Sequence, residues 1–159
     1  TGISLVTTQQ YLDMAVYVQK ELEDIGIQAE INHVPPSTLS EWKAQSRAAF
    51  FRGSWVADYA DPENYLSIFY SKNWSPDGPN YFHYYNASYD KLYEDALQEP
   101  DDQKRMEICS RMQDTLMEDA PVIVLFYDEV VRLKANNVHG LEPNPINLVD
   151  LKKVRIGDF

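Results

Sequence analysis

A single cysteine, Cys109, excludes an internal disulfide and leaves the redox compartment open. Basic side chains are also scarce: 14 Lys and Arg stand against 25 Asp and Glu, a formal net charge of −11. Nucleic acid is therefore not expected as a partner, because phosphate backbones are held by clustered Lys and Arg. The small groups Lys152-Lys153 and Arg155 are too few to anchor an anionic membrane surface. No apolar run reaches the ~18 residues of a membrane span. Sustained repeats and low-complexity tracts are missing. His33, His83 and His139 lie far apart, without the His-x-x-x-His spacing of a helical metal site, so neither a metal nor another cofactor is expected from this chain. Walker, G-x-G-x-x-G and G-x-S-x-G patterns are absent too.

What remains is an acidic chain of 159 residues with 44% hydrophobic content, long enough for one domain that buries roughly 70% of its unfolded surface. Ile3 to Val6 suits a short strand. Tyr11, Ala15, Val18, Leu22 and Ile25 recur at helical spacing, and Gly26 supplies the stop. Ile27, Ala29 and Ile31 alternate as a half-buried strand that Pro35-Pro36 closes. A second helix is expected from about Thr38 to Gln45, capped by Ser37 or Ser40, and a third strand from about Ala48 to Trp55. Strand-helix-strand-helix-strand at these lengths predicts α/β architecture, with parallel strands near 3–7, 27–33 and 49–55.

Ser71 to Ser88 interrupts the pattern with Pro76, Gly78, Pro79 and five aromatics. Such a loop is either functional or packed on the surface. Two helices should follow, from about Ser88 to Gln98, capped by Ser88, and from Asp101 or Asp102 to about Glu118. Cys109 shares an apolar helix side with Met106, Met112 and Leu116, as buried filler would. Pro121 then opens a predicted buried strand, Val122 to Tyr127, with Val130 to Leu133 as its continuation or hairpin partner. A tail from Gly140 carries Pro143 and Pro145 before Leu148 to Ile156.

The chemistry concentrates at Trp55-Val56-Ala57-Asp58-Tyr59-Ala60-Asp61-Pro62. A strand candidate runs directly into an aromatic and two carboxylates flanking a tyrosine, and α/β proteins place ligand groups at such strand ends. An ordinary strand exit with a solvated acidic turn would read the same way. Asp58 and Asp61 could form a catalytic carboxylate pair, but adjacent turn residues rarely face each other across a bond. Asp61 is expected to order the turn before Pro62. Trp55 offers an apolar wall or cation–π face, or else core packing, and amphipathic Tyr59 could line the same cleft. Tyr81, Phe82, Tyr84 and Tyr85 are dense enough for a ligand surface, although packing beneath the loop explains them as well.

The stretch Trp55 to Leu66 resembles the W-x-A-D-Y-x-D/E-P-x-x-x-L segment of the peptide/nickel family of extracytoplasmic solute-binding proteins, the oligopeptide and dipeptide receptors of ABC importers. Asn86-Ala87-Ser88-Tyr89-Asp90-Lys91-Leu92 resembles the family's N-x-x-F/Y-D-x-L helix start. Arg105 with Gln113 and Leu116 resembles its R-x-x-x-x-x-x-x-Q-x-x-L helix, and Glu118-Asp119-Ala120-Pro121-Val122-Ile123 its E-x-A-P-x-I/V turn into a strand. The matches follow in the family's order over nearly the whole chain. In a bacterial family the glycosylation-like Asn73-Trp74-Ser75 and Asn86-Ala87-Ser88 are accidental.

The resemblance implies a mainly parallel sheet with crossover helices, part of one lobe of a type II periplasmic-binding-protein-like fold. The chain starts at Thr1 without a basic-then-apolar leader, and family members are much longer, so an excised piece of the C-terminal half is expected. Residues 1–140 would form part of the C-terminal lobe, and 141–159 a tail returning to the other lobe. The implied function is non-enzymatic. A peptide would be captured between two lobes and delivered to membrane permease subunits, by a monomer at the periplasmic or extracellular face, with a lipid anchor as an option in the full-length form. Asp58 would hold the peptide's α-ammonium, with Trp55, Ala57 and Tyr59 completing the ligand-binding set. A carboxylate-dependent hydrolase and a non-catalytic interaction domain are the alternatives.

Overall fold

The computed structural model describes residues 2–144 and 147–157. Pro145, part of the expected tail, lies outside them. Strands β1 (Ile3–Thr7), β2 (Ala29–His33) and β3 (Phe50–Phe51) form one sheet in the order β2-β1-β3. Both pairings are parallel, with Leu5 opposite Ile31 on one side and Phe50 on the other. Helix α1 (Leu12–Asp24) follows a single 3-10 turn at Gln9–Tyr11 and connects β1 to β2. It ends where Gly26 adopts φ +83°, a conformation that glycine enters without Cβ strain. Helix α2 (Pro36–Ala44) connects β2 to β3. It starts two residues earlier than expected and uses neither Ser37 nor Ser40 as a cap. Pro36 occupies its first turn, where proline's fixed φ fits and its missing N–H costs nothing.

The third strand is much shorter than the expected Ala48 to Trp55. Only Phe50 and Phe51 pair with β1, and the Arg52 N–H adds one bond to the Val6 carbonyl before the chain leaves the sheet.

The short helix α3 (Glu63–Leu66) leads into two further 3-10 turns and the aromatic loop. Helices α4 (Ala87–Gln98) and α5 (Asp102–Asp119), joined through Glu99-Pro100-Asp101, then pack on each other. The cap of α4 is Asn86 rather than Ser88: its side-chain oxygen accepts from the Ser88 and Tyr89 N–H groups. Asp101 caps α5 in the same way.

Two apolar cores result. Val6, Leu39 and Ala48 are buried between sheet and α2, with Trp42 and Phe51 against them. Phe69, Tyr70, Tyr89, Tyr93, Ala96, Cys109 and Met112 form the larger core under α4 and α5, so Cys109 is buried filler, while Met106 stays exposed. The aromatic loop joins the two. Phe82 stacks on Phe51 at 5.7 Å and on Phe69 at 5.5 Å, and His83 Nε2 lies 2.7 Å from the Ser46 hydroxyl and 3.0 Å from the Ser75 carbonyl oxygen. Fully buried Asn80 donates to the Tyr70 and Tyr84 carbonyls, which fixes the loop from inside.

The predicted strand Val122 to Tyr127 does not form, nor does its expected extension Val130 to Leu133. Both stretches are irregular, and nearly all their side chains are exposed. A strand needs a neighbour for its N–H and C=O groups. Neither edge of the three-stranded sheet extends to this segment. Farther on, β4 (Val138–His139) pairs antiparallel with β5 (Arg155–Ile156).

Candidate functional site

All three strands of the sheet are parallel, so the connections leaving β1, β2 and β3 share one edge, where open α/β sheets bind ligands. The chain leaving β3 places Arg52 there, its guanidinium 3.5 Å from the Tyr11 ring centroid, a cation–π distance. The segment from Gly53 to Ala60 has no regular hydrogen bonding of its own and depends on the turn that follows it.

That turn is built by Asp61, as its place before Pro62 predicted. Its carbonyl accepts from the Asn64 N–H at 3.1 Å and its Oδ1 from the Glu63 N–H at 2.8 Å. Both carboxylate oxygens also receive the Arg105 guanidinium, at 3.0 and 2.6 Å, a bidentate pair that ties the turn to α5. The guanidinium, helped by the Glu63 N–H, holds the Asp61 carboxyl below its usual range, against a smaller opposing push from burial. Glu63 accepts hydroxyls from Tyr59 and Tyr93. The Glu63 hydrogen bond raises the Tyr59 pKa first, whereas burial is the larger cause for Tyr93.

Asn64, only 4% exposed, is the centre of the arrangement. Its side-chain oxygen accepts the Trp55 indole N–H at 2.8 Å and the Asp58 backbone N–H at 3.3 Å. Trp55 and Asp58 are thereby gathered on one acceptor. Trp55 is half-buried, as is Ala57. The Asp58 side chain is exposed, and its carboxylate has no hydrogen-bond or ion-pair partner among the described residues. Tyr59 is exposed, but its hydroxyl is committed to Glu63. It lines a shallow depression with Asp61, Tyr93 and Arg105.

The two aspartates of the motif therefore have opposite situations. Asp61 is saturated by a guanidinium and a backbone N–H, while Asp58 is open. In the aromatic loop Phe82 and Tyr84 pack against the larger core, and Tyr85 stays exposed. Among the described residues no group of three or more His, Cys, Asp or Glu is placed to hold a metal ion.

Sequence reasoning missed Asn64 and passed over Arg52; it read Arg105 only as the start of a helix motif. Asn64 had a signal: a polar residue two positions after Pro62, in the first turn of a short helix, has both turn and loop donors within reach. The Asp61–Arg105 pair had none, because the two are 44 positions apart in the chain.

Parallel strands and crossover helices define a part of one lobe of a type II periplasmic-binding-protein-like structure. The family described as "Bacterial extracellular solute-binding proteins, family 5 Middle" matches residues 3–77. The chain is 30% identical over 145 residues to di/tripeptide-binding protein 1 of Pseudomonas aeruginosa, covering 91% of this chain and 27% of that protein. It is 25% identical over 147 residues to the dipeptide-binding protein DppE of Bacillus subtilis, covering 92% and 26%. Among solved structures, OppA of Burkholderia pseudomallei superposes with a TM-score of 0.82 at 22% identity, covering 99% of this chain and 31% of that one. The oligopeptide-binding protein AppA of Bacillus subtilis, in complex with a nonapeptide, gives 0.76 at 25% identity, covering 99% and 32%. Over residues 3–77 the chain matches this family of bacterial extracellular solute-binding proteins, and it is similar to the peptide-binding relatives over most of its own length. It spans about a quarter of the length of those two curated relatives.

Proposed function

We propose that the full-length protein is the substrate-binding component of an ABC importer. It captures oligo- or dipeptides between two lobes and passes them to permease subunits at the periplasmic or extracellular face of the membrane. In this reading it acts as a monomer without catalysis, and a lipid can supply its tether. Residues 1–140 belong to the C-terminal lobe, and 141–159 run back to the other lobe.

The observation that carries the reading is the open Asp58 carboxylate, on the loop that follows β3 and is anchored to Asn64. Its partner would be the peptide α-ammonium, through a charge-assisted hydrogen bond that strengthens as closing lobes exclude water. Trp55 and Ala57 provide apolar surface beside it, and the Tyr59 ring extends that surface while its hydroxyl stays on Glu63. Arg52, on the chain leaving β3 and stacked on Tyr11, adds a cation that could meet a peptide carboxylate. The relatives' names support peptides as the ligand class, since they are di- and tripeptide-binding proteins. A two-carboxylate hydrolase fits less well, because Asp61 is committed to Arg105 and the Glu63 N–H.

Mass spectrometry of ligand retained by the purified full-length protein, followed by calorimetric titration with the same compound, tests the assignment. Recovery of short peptides that bind saturably and are returned intact is expected. Retention of a non-peptide ligand, or cleavage of the bound peptide, would refute it.

A further inference from the structure

Trp55 and Asp58 of the loop are held by one side chain, separate from the Tyr59–Glu63 hydrogen bond. Asn64 Oδ1 accepts the Trp55 indole N–H and the Asp58 backbone N–H at 2.8 and 3.3 Å. Both partners can only donate, so the oxygen of the Asn64 amide must be the atom that faces them. At 4% exposure the residue has almost no surface to offer a ligand, and water cannot readily replace its bonds.

Asn64 is itself held from both directions. Its N–H donates to the Asp61 carbonyl at 3.1 Å, and its carbonyl accepts the Ser67 hydroxyl at 3.1 Å. Asp61 is in turn clamped by Arg105 of α5. A continuous chain of hydrogen bonds thus runs from α5 through the turn to the loop. The segment 53–60 has no ladder of its own, so this chain determines where the Trp55 ring and the Asp58 turn stand.

We infer that Asn64 is a positioning residue for ligand recognition, setting the aromatic wall of Trp55 and the turn of Asp58 as one unit through a single shared acceptor. The inference rests on the reading of Asp58 as the ammonium partner. Two hydrogen bonds on one atom make the wall and the carboxylate move together. Losing that atom therefore damages both contacts without replacing any ligand-touching residue.

The test uses the full-length protein. Asn64→Leu keeps nearly the same volume without an acceptor, and Asn64→Asp keeps the acceptor. The Trp55 indole ¹H–¹⁵N resonance, assigned by its loss in Trp55→Phe, reports on the bond directly. Asn64→Leu should shift that resonance and weaken binding of free-amine peptides by about tenfold or more. The same change should cost less in an Asp58→Asn background, because its effect passes partly through Asp58. Asn64→Asp should restore the resonance and most of the affinity. Should Asn64→Leu fail to fold, amide exchange in the unaltered protein takes its place: the Asp58 N–H should exchange more slowly than those of Val56 and Tyr59, which have no acceptor among the described residues. An unshifted indole with full affinity, equal losses in both backgrounds, or equal exchange of the three amides would each overturn the assignment. If Asp58→Asn alone leaves the preference for free amines intact, the ammonium reading fails instead, and the indole shift and Asp58 exchange still decide whether Asn64 sets the loop.

Discussion

Strand β1 and the stretch Val122–Tyr127 make an instructive pair. The second is the more apolar, six consecutive hydrophobic residues against Ile-Ser-Leu-Val-Thr. Yet β1 is a strand with buried Leu5, Val6 and Thr7, whereas 122–127 is irregular and Tyr127 is 83% exposed. The difference lies in the partners. β1 has β2 on one side and β3 on the other; the later segment has no strand partner among the described residues. Strand propensity expresses fit to a pleated surface, so it is realised only where that surface exists. The same contrast divides the whole molecule: the part up to α5 closes around two cores, and the part beyond Pro121 largely does not.

Substitutions can sharpen that division. The largest effect is expected at Met112, fully buried in the larger core. Met112→Ala should lower unfolding free energy by about 2–5 kcal/mol, read from denaturant midpoints at unchanged slope. A loss below ~1 kcal/mol would mean that the α4–α5 core is not the stable part.

Next comes Arg105→Gln, which leaves Asp61 with its backbone donor but without its guanidinium. Side chains 23% and 29% exposed place the pair between surface and core, so about 1–2 kcal/mol is expected near neutral pH. The effect should depend on pH. Because the folded Asp61 pKa is depressed, its contribution is fully present above the unfolded carboxyl value of about 4 and disappears as pH falls through the lower folded value. Stability curves of the two proteins should therefore converge in acid; a constant gap would contradict the ion pair.

The smallest effect belongs to the uncovered region. Leu133 is 95% exposed, and Leu133→Ser in these 159 residues should change stability by no more than about 0.5 kcal/mol. A loss comparable to that of Met112→Ala would show that the segment is packed after all.

Much of the fold was legible because its signals are local. Helical spacing from Tyr11 to Ile25 with the Gly26 stop and the Asp101 cap each lie within a few residues, and each holds, while the strand alternation holds at Ala29 and Ile31 but not at exposed Ile27, which precedes β2. What failed depended on distant partners. β3 stops at Phe51 because only its first residues meet β1, and Val122–Tyr127 lacks an edge to join. Ser88 lost the α4 cap to Asn86 because an asparagine side chain in extended backbone reaches two N–H groups at once. At the site, the composition of Trp55-Val56-Ala57-Asp58-Tyr59-Ala60-Asp61-Pro62 located the loop and the turn-forming role of Asp61. It did not reveal that Asn64 gathers the loop or that Arg105 anchors it, since those bonds span 6 to 44 positions and exist only once α3 and α5 have packed.

The central claim is that Asp58 holds a peptide's terminal ammonium. Calorimetric titration of full-length protein and its Asp58→Asn variant, with one peptide in free and N-acetylated form, tests it most directly. The account predicts about a ten- to hundredfold loss for the free peptide, the worth of a charged hydrogen bond of roughly 1.5–3 kcal/mol, and little added loss for the acetylated one. Equal losses for the two forms would contradict it.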